Sequence, residues 1–168
     1  MKASRVIVVV PARRASTRLP NKLLLAESGQ PLLAHTLQQC LAAKLPNQVI
    51  AAVDDPDLAQ AARAAGAKAV LTDPDLPSGT DRMWAAAQSY PDAEFLVNVQ
   101  GDEAEIEPAA IDAVCQALLE GADAVTLSAP LAADACADPA AVKVVTALNG
   151  NALYFSRAAI PHPRNPSG

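Results

Sequence analysis

Short β-branched runs alternate with alanine-rich stretches along this chain, and this alternation constrains the fold more than any other feature of the sequence. Continuous apolar runs such as VIVVV and FLVNV are typical of strands that are covered on both faces, as in a parallel sheet. Helical patterns between such runs predict βαβ units, and hence an α/β fold: a three-layer α/β/α sandwich with a mostly parallel sheet. The predicted strands are residues 5–10, 48–53, 69–72, 95–100, 124–129, 142–146 and 152–155.

Helix signals lie between these strands. Regularly spaced leucines predict a helix over residues 31–43. Asp55 followed by Pro56 has the form of an N-cap before a proline at the first helical position, and Gly66 that of a C-terminal stop. Apolar residues at helical spacing predict a further helix that begins near Pro108 and ends before Gly121.

The bulk composition fits one folded body. With 168 residues, of which 51% are hydrophobic, the chain can bury one sizeable core. We therefore expect a single domain over residues 1–160. Residues 161–168 are rich in proline and are predicted to form an extended or disordered tail.

Composition also excludes several classes of function. The net charge of −5 and the pI near 4.9 argue against a broad nucleic-acid surface, which needs a basic face. No apolar run reaches the ~18 residues that span a membrane, and VIVVV is shorter than the ~7–15 residues of a signal-peptide core. We expect no nucleic-acid or membrane partner. Three widely spaced cysteines without a CxxC pair predict reduced thiols and a cytoplasmic protein.

Positive charge is concentrated just after the first predicted strand. Six of the 13 Lys and Arg residues lie in the first 26 positions, which hold none of the 18 acidic residues. A loop at the carboxyl end of a buried strand is where open α/β sheets bind ligands. Arg13 and Arg18 can bind phosphate oxygens with a fork of donors, Lys22 as a point charge and Ser16 through its hydroxyl. The loop predicts binding of a polyanion, most simply a nucleoside triphosphate; a solvated basic loop is the alternative.

The segment PSGTDR opens a predicted helix. Exposed backbone N–H groups at a helix start can bind an anion or hydrogen-bond a base edge. Ser78 and Thr80 can equally serve as helix caps while Asp81 complements the helix dipole, and the spacing by itself favours this second interpretation.

The segment NVQGDE places one carboxylate at a strand end. The strand ends at Gln100, Gly101 makes the turn, and Asp102 follows at the predicted carboxyl edge of the sheet. Mg²⁺ is commonly held by one or two carboxylates together with substrate phosphates. We therefore favour Asp102 as a magnesium ligand over the alternative of an acidic surface loop.

These segments together resemble the 3-deoxy-manno-octulosonate cytidylyltransferase family. The resemblance is carried by PARRASTRLPNK, PSGTDR, NVQGDE, AVKVV and ALYFSRAAIP, which occur in the family's order. It implies a Rossmann-like nucleotidyltransferase fold and transfer of CMP from CTP to the anomeric hydroxyl of 3-deoxy-D-manno-octulosonate (Kdo), with release of pyrophosphate. It also implies a requirement for Mg²⁺, a homodimer and a place in lipopolysaccharide biosynthesis.

The resemblance assigns roles to individual positions. It implies that the catalytic residues are Arg13, Lys22 and Asp102, the last as metal ligand. Gln100 and Arg157 would contact the sugar acid. The nucleotide-binding positions that it implies are Ala12, Arg13, Ser16, Arg18, Lys22, Ser78, Gly79, Thr80 and Gln100.

Some positions depart from the family pattern. Asn21 stands where the family usually has glycine, and Leu76 where a histidine commonly precedes PSGT. The family's chains are longer, so the resemblance implies that the C-terminal third has no counterpart here. That third supplies further sugar contacts, much of the dimer interface and a second acidic metal ligand. Two alternatives stay open: a cytidylyltransferase for sialic acid or another sugar acid, and an inactive CTP-binding remnant.

Overall fold

The computed structural model describes residues 5–16 and 19–162, apart from the side chain of Asp134. The strands are β1 (Val6–Ala12), β2 (Gln48–Val53), β3 (Lys68–Leu71), β4 (Phe95–Asn98), β5 (Lys143–Thr146) and β6 (Ala152–Ser156). The α-helices are α1 (Leu32–Ala42), α2 (Pro56–Ala64), α3 (Gly79–Ala87) and α4 (Pro108–Leu119), with short 3-10 helices at Lys22–Leu24 and Ala133–Ala137. None of the described helices is both long and apolar enough to cross a membrane.

The chain divides into two compact units, Met1–Val125 and Thr126–Gly168. The sequence instead predicts a single domain over residues 1–160. The end of that domain at residue 160 stays a prediction.

Four parallel strands form the sheet of the first unit, in the order β3-β2-β1-β4. Val9 of β1 lies opposite Ile50 of β2 on one side and Asn98 of β4 on the other. The strand order therefore reverses at β1. In open α/β sheets such a reversal leaves a crevice at the carboxyl ends of the strands, where ligands bind.

Strand β1 is buried on both faces, as its uninterrupted apolar run predicts. Val8 and Val10 belong to the core that includes residues of α1, α2 and α4. Ile7 and Val9 belong to a second core on the opposite face, which includes Ala86 of α3. The predicted three-layer sandwich with a mostly parallel sheet is confirmed.

Local signals set the helix boundaries. Oδ1 of Asp55 accepts a 2.8 Å hydrogen bond from the backbone N–H of Asp57, which makes Asp55 the N-cap of α2. Gly66 and Gly121 follow α2 and α4 with φ of 93° and 105°, in the left-handed region that glycine enters without steric cost. These predicted boundaries are confirmed.

The strand predicted over residues 124–129 is wrong. These residues pair with no strand in the part of the chain that the structure describes, and Leu127 is 51% exposed. A strand needs a neighbour to satisfy its backbone hydrogen-bonding groups, and alternating apolar residues do not supply one.

The second unit contains an antiparallel hairpin of β5 and β6. The ammonium of Lys143 is buried beside it and donates hydrogen bonds to the carbonyls of Asp138, Ala141 and Arg157, at 2.6, 2.9 and 2.8 Å. These bonds satisfy all three donors of the lysine.

Candidate nucleotide-binding site

Two clefts lie side by side at the carboxyl ends of β1 and β4. The larger, of about 420 Å³, is lined by the loop that follows β1 and by the turn that follows β4. The smaller, of about 220 Å³, is lined by the end of β1 and the start of α3. Pro11, Arg13 and Gln100 line both clefts. The site therefore lies at the reversal of strand order, where the sheet topology predicts a ligand.

Arg13 is the cation that the two clefts share. Its side chain is exposed and makes no hydrogen bond or ion pair with any residue that the structure describes. A guanidinium in this position can bind a phosphate with two parallel hydrogen bonds. Arg13 therefore faces both clefts with a guanidinium that is available to bind an anion.

Arg14, the next residue, is instead bound to acidic residues of the protein. Its Nη1 lies 2.8 Å from Oδ2 of Asp55 and 2.7 Å from Oδ2 of Asp57. Its backbone N–H donates a 2.8 Å hydrogen bond to Oδ1 of Asp54. The hydrogen bond from Arg14 holds the pKa of Asp55 below its ordinary value, and that bond in turn raises the pKa of Arg14. Two adjacent arginines that look alike in the sequence thus have different tasks, one anchoring the loop and the other facing the clefts.

Asn21 supports the same anchor. Its φ of 53° lies in the left-handed region, which favours glycine and tolerates asparagine better than most other residues. Its Oδ1 accepts a 3.2 Å hydrogen bond from Nε of Arg14. The backbone conformation explains why a glycine suits this position, and the asparagine adds a contact that glycine could not make.

Lys22 and Asp102 meet in the larger cleft. Nζ of Lys22 lies 2.7 Å from Oδ2 of Asp102, and the two side chains are 40% and 46% exposed. Ser16 lines the same cleft. The residues predicted to bind phosphate and magnesium therefore face each other, and both remain accessible to solvent.

The turn that carries Asp102 is held against the end of β1. The buried hydroxyl of Thr36 donates a 2.9 Å hydrogen bond to the carbonyl of Gly101. A Cβ atom on Gly101 would lie 3.0 Å from the carbonyl oxygen of Pro11 and 3.3 Å from Cδ1 of Leu23. Only glycine allows the backbone to approach β1 this closely without displacing a neighbour. Sequence reasoning missed Thr36, since nothing in a helical pattern marks a hydroxyl that bonds 65 residues away.

The start of α3 is capped by Ser78 and borders the smaller cleft. Oγ of Ser78 accepts a 3.1 Å hydrogen bond from the backbone N–H of Asp81 and also bonds the Asp81 carboxylate, so the capping interpretation is confirmed. Ser78 and Gly79 also line the smaller cleft. Thr80 is exposed and lines neither of these two clefts.

The structure brings most of the predicted site residues together. Those that line one or both clefts are Ala12, Arg13, Ser16, Lys22, Ser78, Gly79, Gln100 and Asp102. Arg18 lies outside the described residues. Arg157 belongs to the second unit, where Nη1 donates a 2.7 Å hydrogen bond to the carbonyl of Pro139, and its contact with a sugar stays a prediction.

Sequence reasoning gave no role to a buried ion pair beside the smaller cleft. Nη2 of Arg82 lies 3.5 Å from Oδ2 of Asp54, and these side chains are 3% and 8% exposed. Arg82 also lines the cleft. The only available signal was its position in PSGTDR, four residues after the helix cap.

The sheet order and these clefts fit a nucleotide-binding α/β fold, and the sequence places the chain among the nucleotidyltransferases of the cytidylyltransferase class. A family model described as cytidylyltransferase matches residues 7–167. The solved structure of CMP:2-keto-3-deoxy-manno-octonic acid synthetase complexed with CTP matches with a TM-score of 0.86 and 37% identity, over 96% of this chain and 68% of that chain.

Two relatives narrow this class. The 3-deoxy-manno-octulosonate cytidylyltransferase of Myxococcus xanthus is 41% identical over 167 residues, 99% of this chain and 68% of the relative. That of Anaeromyxobacter dehalogenans is 47% identical over 160 residues, 95% of this chain and 66% of the relative. The chain therefore belongs to the 3-deoxy-manno-octulosonate cytidylyltransferase family. It spans about two thirds of the length of these relatives.

Proposed function

We propose that this chain carries the nucleotide-binding part of an enzyme that transfers CMP from CTP to the anomeric hydroxyl of Kdo and releases pyrophosphate. The observation that carries the proposal is the arrangement of Arg13, Lys22 and Asp102 around one cleft at the switch point of the sheet. Relatives that are 41% and 47% identical have this activity in their names, so a sialic-acid acceptor is not favoured. The product would serve lipopolysaccharide biosynthesis in the cytoplasm, and the active form would be a homodimer.

The larger cleft binds the triphosphate in this proposal. Arg13 has no partner among the described residues, and Lys22, which lines the same cleft, is accessible to solvent. Attack at the α-phosphorus moves negative charge onto the departing pyrophosphate. Fixed cations at that point stabilise the transition state more than the ground state, because the charge they face increases along the reaction. Ser16 contributes a hydroxyl to the lining of the same cleft.

The smaller cleft holds the nucleoside. Ser78 and Gly79 begin α3 there, and the first backbone N–H groups of a helix have no partner within the helix. Such groups can donate to the carbonyl or ring nitrogen of a base. Gln100 lies between the two clefts and can contact groups in both. This division places the α-phosphorus near Arg13 and Gln100, where the clefts meet.

Asp102 is the proposed magnesium ligand. The described residues contain no group of three or more His, Cys, Asp or Glu side chains that could hold a metal ion by themselves. A single accessible carboxylate beside a phosphate cleft suits Mg²⁺, which keeps several waters and takes phosphate oxygens as further ligands. When bound, Mg²⁺ would neutralise phosphate charge. Asp102 would then exchange its ion pair with Lys22 for the metal and leave the ammonium to the phosphates.

Pyrophosphate release tests the proposal. The chain, and a form extended by the C-terminal third that its relatives possess, are incubated with CTP and Mg²⁺ in the presence or absence of Kdo. We expect Kdo-dependent release from the extended form. Equal release with sialic acid, or equal binding of ATP and CTP, would contradict the assignment of acceptor or base.

A parallel measurement of CTP binding distinguishes an active chain from one that only binds the nucleotide. Kdo-dependent release by both forms shows that the 168 residues suffice. Binding of CTP without release by either form contradicts the proposed activity and supports a nucleotide-binding remnant.

A further inference from the structure

The buried ion pair of Arg82 and Asp54 joins three segments of the first unit. Arg82 lies on α3, and Asp54 follows β2 directly. Beyond its contact with Asp54, the guanidinium donates to Oγ1 of Thr72 at 2.5 Å and to the carbonyl of Asp73 at 3.1 Å. Thr72 follows β3 and itself donates a 2.9 Å hydrogen bond to the carbonyl of Val53. Arg82 thus gathers the carboxyl ends of β2 and β3 onto α3.

The same ion pair reaches the basic loop. While Oδ2 of Asp54 faces Arg82, its Oδ1 accepts the 2.8 Å hydrogen bond from the backbone N–H of Arg14. This bond fixes the main chain at residue 14. Arg13 is the adjacent residue, so its side chain starts from a main-chain position that is held in place. Nothing else among the described residues holds the Arg13 side chain itself.

We propose that Asp54 and Arg82 are positioning residues that set the orientation of Arg13 and thereby the affinity of the site for a nucleoside triphosphate. This inference rests on the proposed function. The guanidinium of Arg82 lies against the buried carboxylate of Asp54 and orients it, and Asp54 in turn holds the loop. The segment PSGTDR supplies Ser78 and Gly79 of the nucleoside cleft as well as Arg82. The ion pair therefore also fixes the position of the nucleoside cleft relative to the phosphate cleft.

A double-mutant cycle between Asp54→Asn and Arg13→Ala tests the link. The dissociation constant of CTP with Mg²⁺ is measured by calorimetry for the chain and its three variants. We expect Asp54→Asn to weaken CTP binding at least about tenfold in the parent chain and less than about twofold in the Arg13→Ala background, because residues that act through one another are not additive. Equal effects in both backgrounds, or no effect in either, would overturn the inference.

Asp112 provides a matched control. Its Oδ1 accepts hydrogen bonds from the backbone N–H groups of Lys44 and Leu45, both at 2.8 Å, and it lines neither cleft. Asp112→Asn therefore removes the charge of another loop-anchoring carboxylate. We expect a lower melting temperature with an unchanged CTP dissociation constant. An equal loss of CTP affinity in Asp112→Asn and Asp54→Asn would reduce the role of Asp54 to general stability and overturn the inference.

Amide hydrogen exchange gives a readout that needs no nucleotide. We expect the Arg14 amide to exchange faster in Asp54→Asn and in Arg82→Lys, while amides of β1 keep their protection. If the parent chain binds no CTP, the proposed function fails, and unchanged exchange at Arg14 would then overturn the positioning role separately. If Asp54→Asn does not fold, Arg14 amide exchange and CTP affinity are measured in Arg82→Lys, which retains the positive charge.

Discussion

The ammonium of Lys22 and the carboxylate of Asp102 pair at 2.7 Å, although 80 residues separate them in the sequence. One belongs to the loop after β1 and the other to the turn after β4, so the pair bridges the crevice at which the strand order reverses. In the proposed function, binding of CTP with magnesium replaces this ion pair by a contact of Lys22 with phosphate and of Asp102 with the metal. The pair thus keeps both charges in place before substrates arrive.

Replacing Asp102 tests its assignment as metal ligand. In Asp102→Asn the carboxylate is lost while the shape is kept, so we expect the Mg²⁺ concentration for half-maximal CTP binding to rise at least about tenfold. The ion pair with Lys22 is exposed and contributes only about 0–1 kcal/mol, so its loss by itself should change the melting temperature little. A magnesium titration followed by calorimetry measures the first quantity. Glu103→Gln, at the adjacent position, lines neither cleft and is the control; an equal shift in that variant would contradict a specific role for Asp102.

Arg13 and Arg14 form a natural comparison of two neighbouring charges. Arg13→Ala should raise the CTP dissociation constant about 10- to 150-fold, as expected for loss of a contact worth about 1.5–3 kcal/mol. Its melting temperature should match that of the parent chain, because Arg13 has no partner among the described residues. Arg14→Ala should instead lower the melting temperature, since it removes the bonds to Asp55 and Asp57. Calorimetry and thermal unfolding separate the two effects, and an unstable Arg13→Ala would contradict its role as a ligand.

Gly101 and Gly79 differ in the space around them. Gly101→Ala would bring a methyl group to 3.0 Å from the Pro11 carbonyl oxygen, so we expect the free energy of unfolding to fall by about 1–3 kcal/mol. In Gly79→Ala the nearest atom is Cγ of Pro11 at 3.4 Å, an ordinary contact, and the stability should hardly change. Denaturant unfolding measures both variants. Equal stability of the two would show that the turn after β4 can move away from β1.

The cysteines should differ in reactivity. Cys40 and Cys115 are buried, and Cys136 is exposed. Burial raises the pKa of the Cys40 thiol to about 12 and raises that of Cys115, so neither forms a thiolate readily near pH 8. We expect a thiol reagent to modify one site rapidly in the folded chain and all three after unfolding. Cys136→Ser should abolish the rapid phase, and rapid modification of Cys40 in that variant would contradict the packed core.

Local chemistry made much of the fold predictable. The run VIVVV, the Asp55 cap and the glycines after α2 and α4 each act over a few residues, and each has the predicted structure. The prediction of a strand over residues 124–129 failed because a strand also requires a neighbouring strand. Whether such a neighbour is available cannot be seen in the local sequence pattern.

The candidate site was predictable in its position but not in its internal contacts. Residues after β1 and β4 were expected at one edge of the sheet, and Arg13 and Asp102 do lie there. The separate tasks of Arg13 and Arg14 could not be predicted, because they depend on acidic residues about 40 positions away. The contact of Arg82 with Asp54 joins a helix to the end of a distant strand for the same reason.

The central position of β1 in the first unit's sheet also bears on how the protein is made. This wholly apolar strand is synthesised before its neighbour β4, which begins only at Phe95. Until that residue emerges, at least one edge of β1 lacks its native partner, and an unpaired apolar edge is prone to associate with other chains. During that interval β2 is the one neighbour of β1 in the sheet that is already available for pairing, so early β1–β2 pairing protects the apolar strand on one edge.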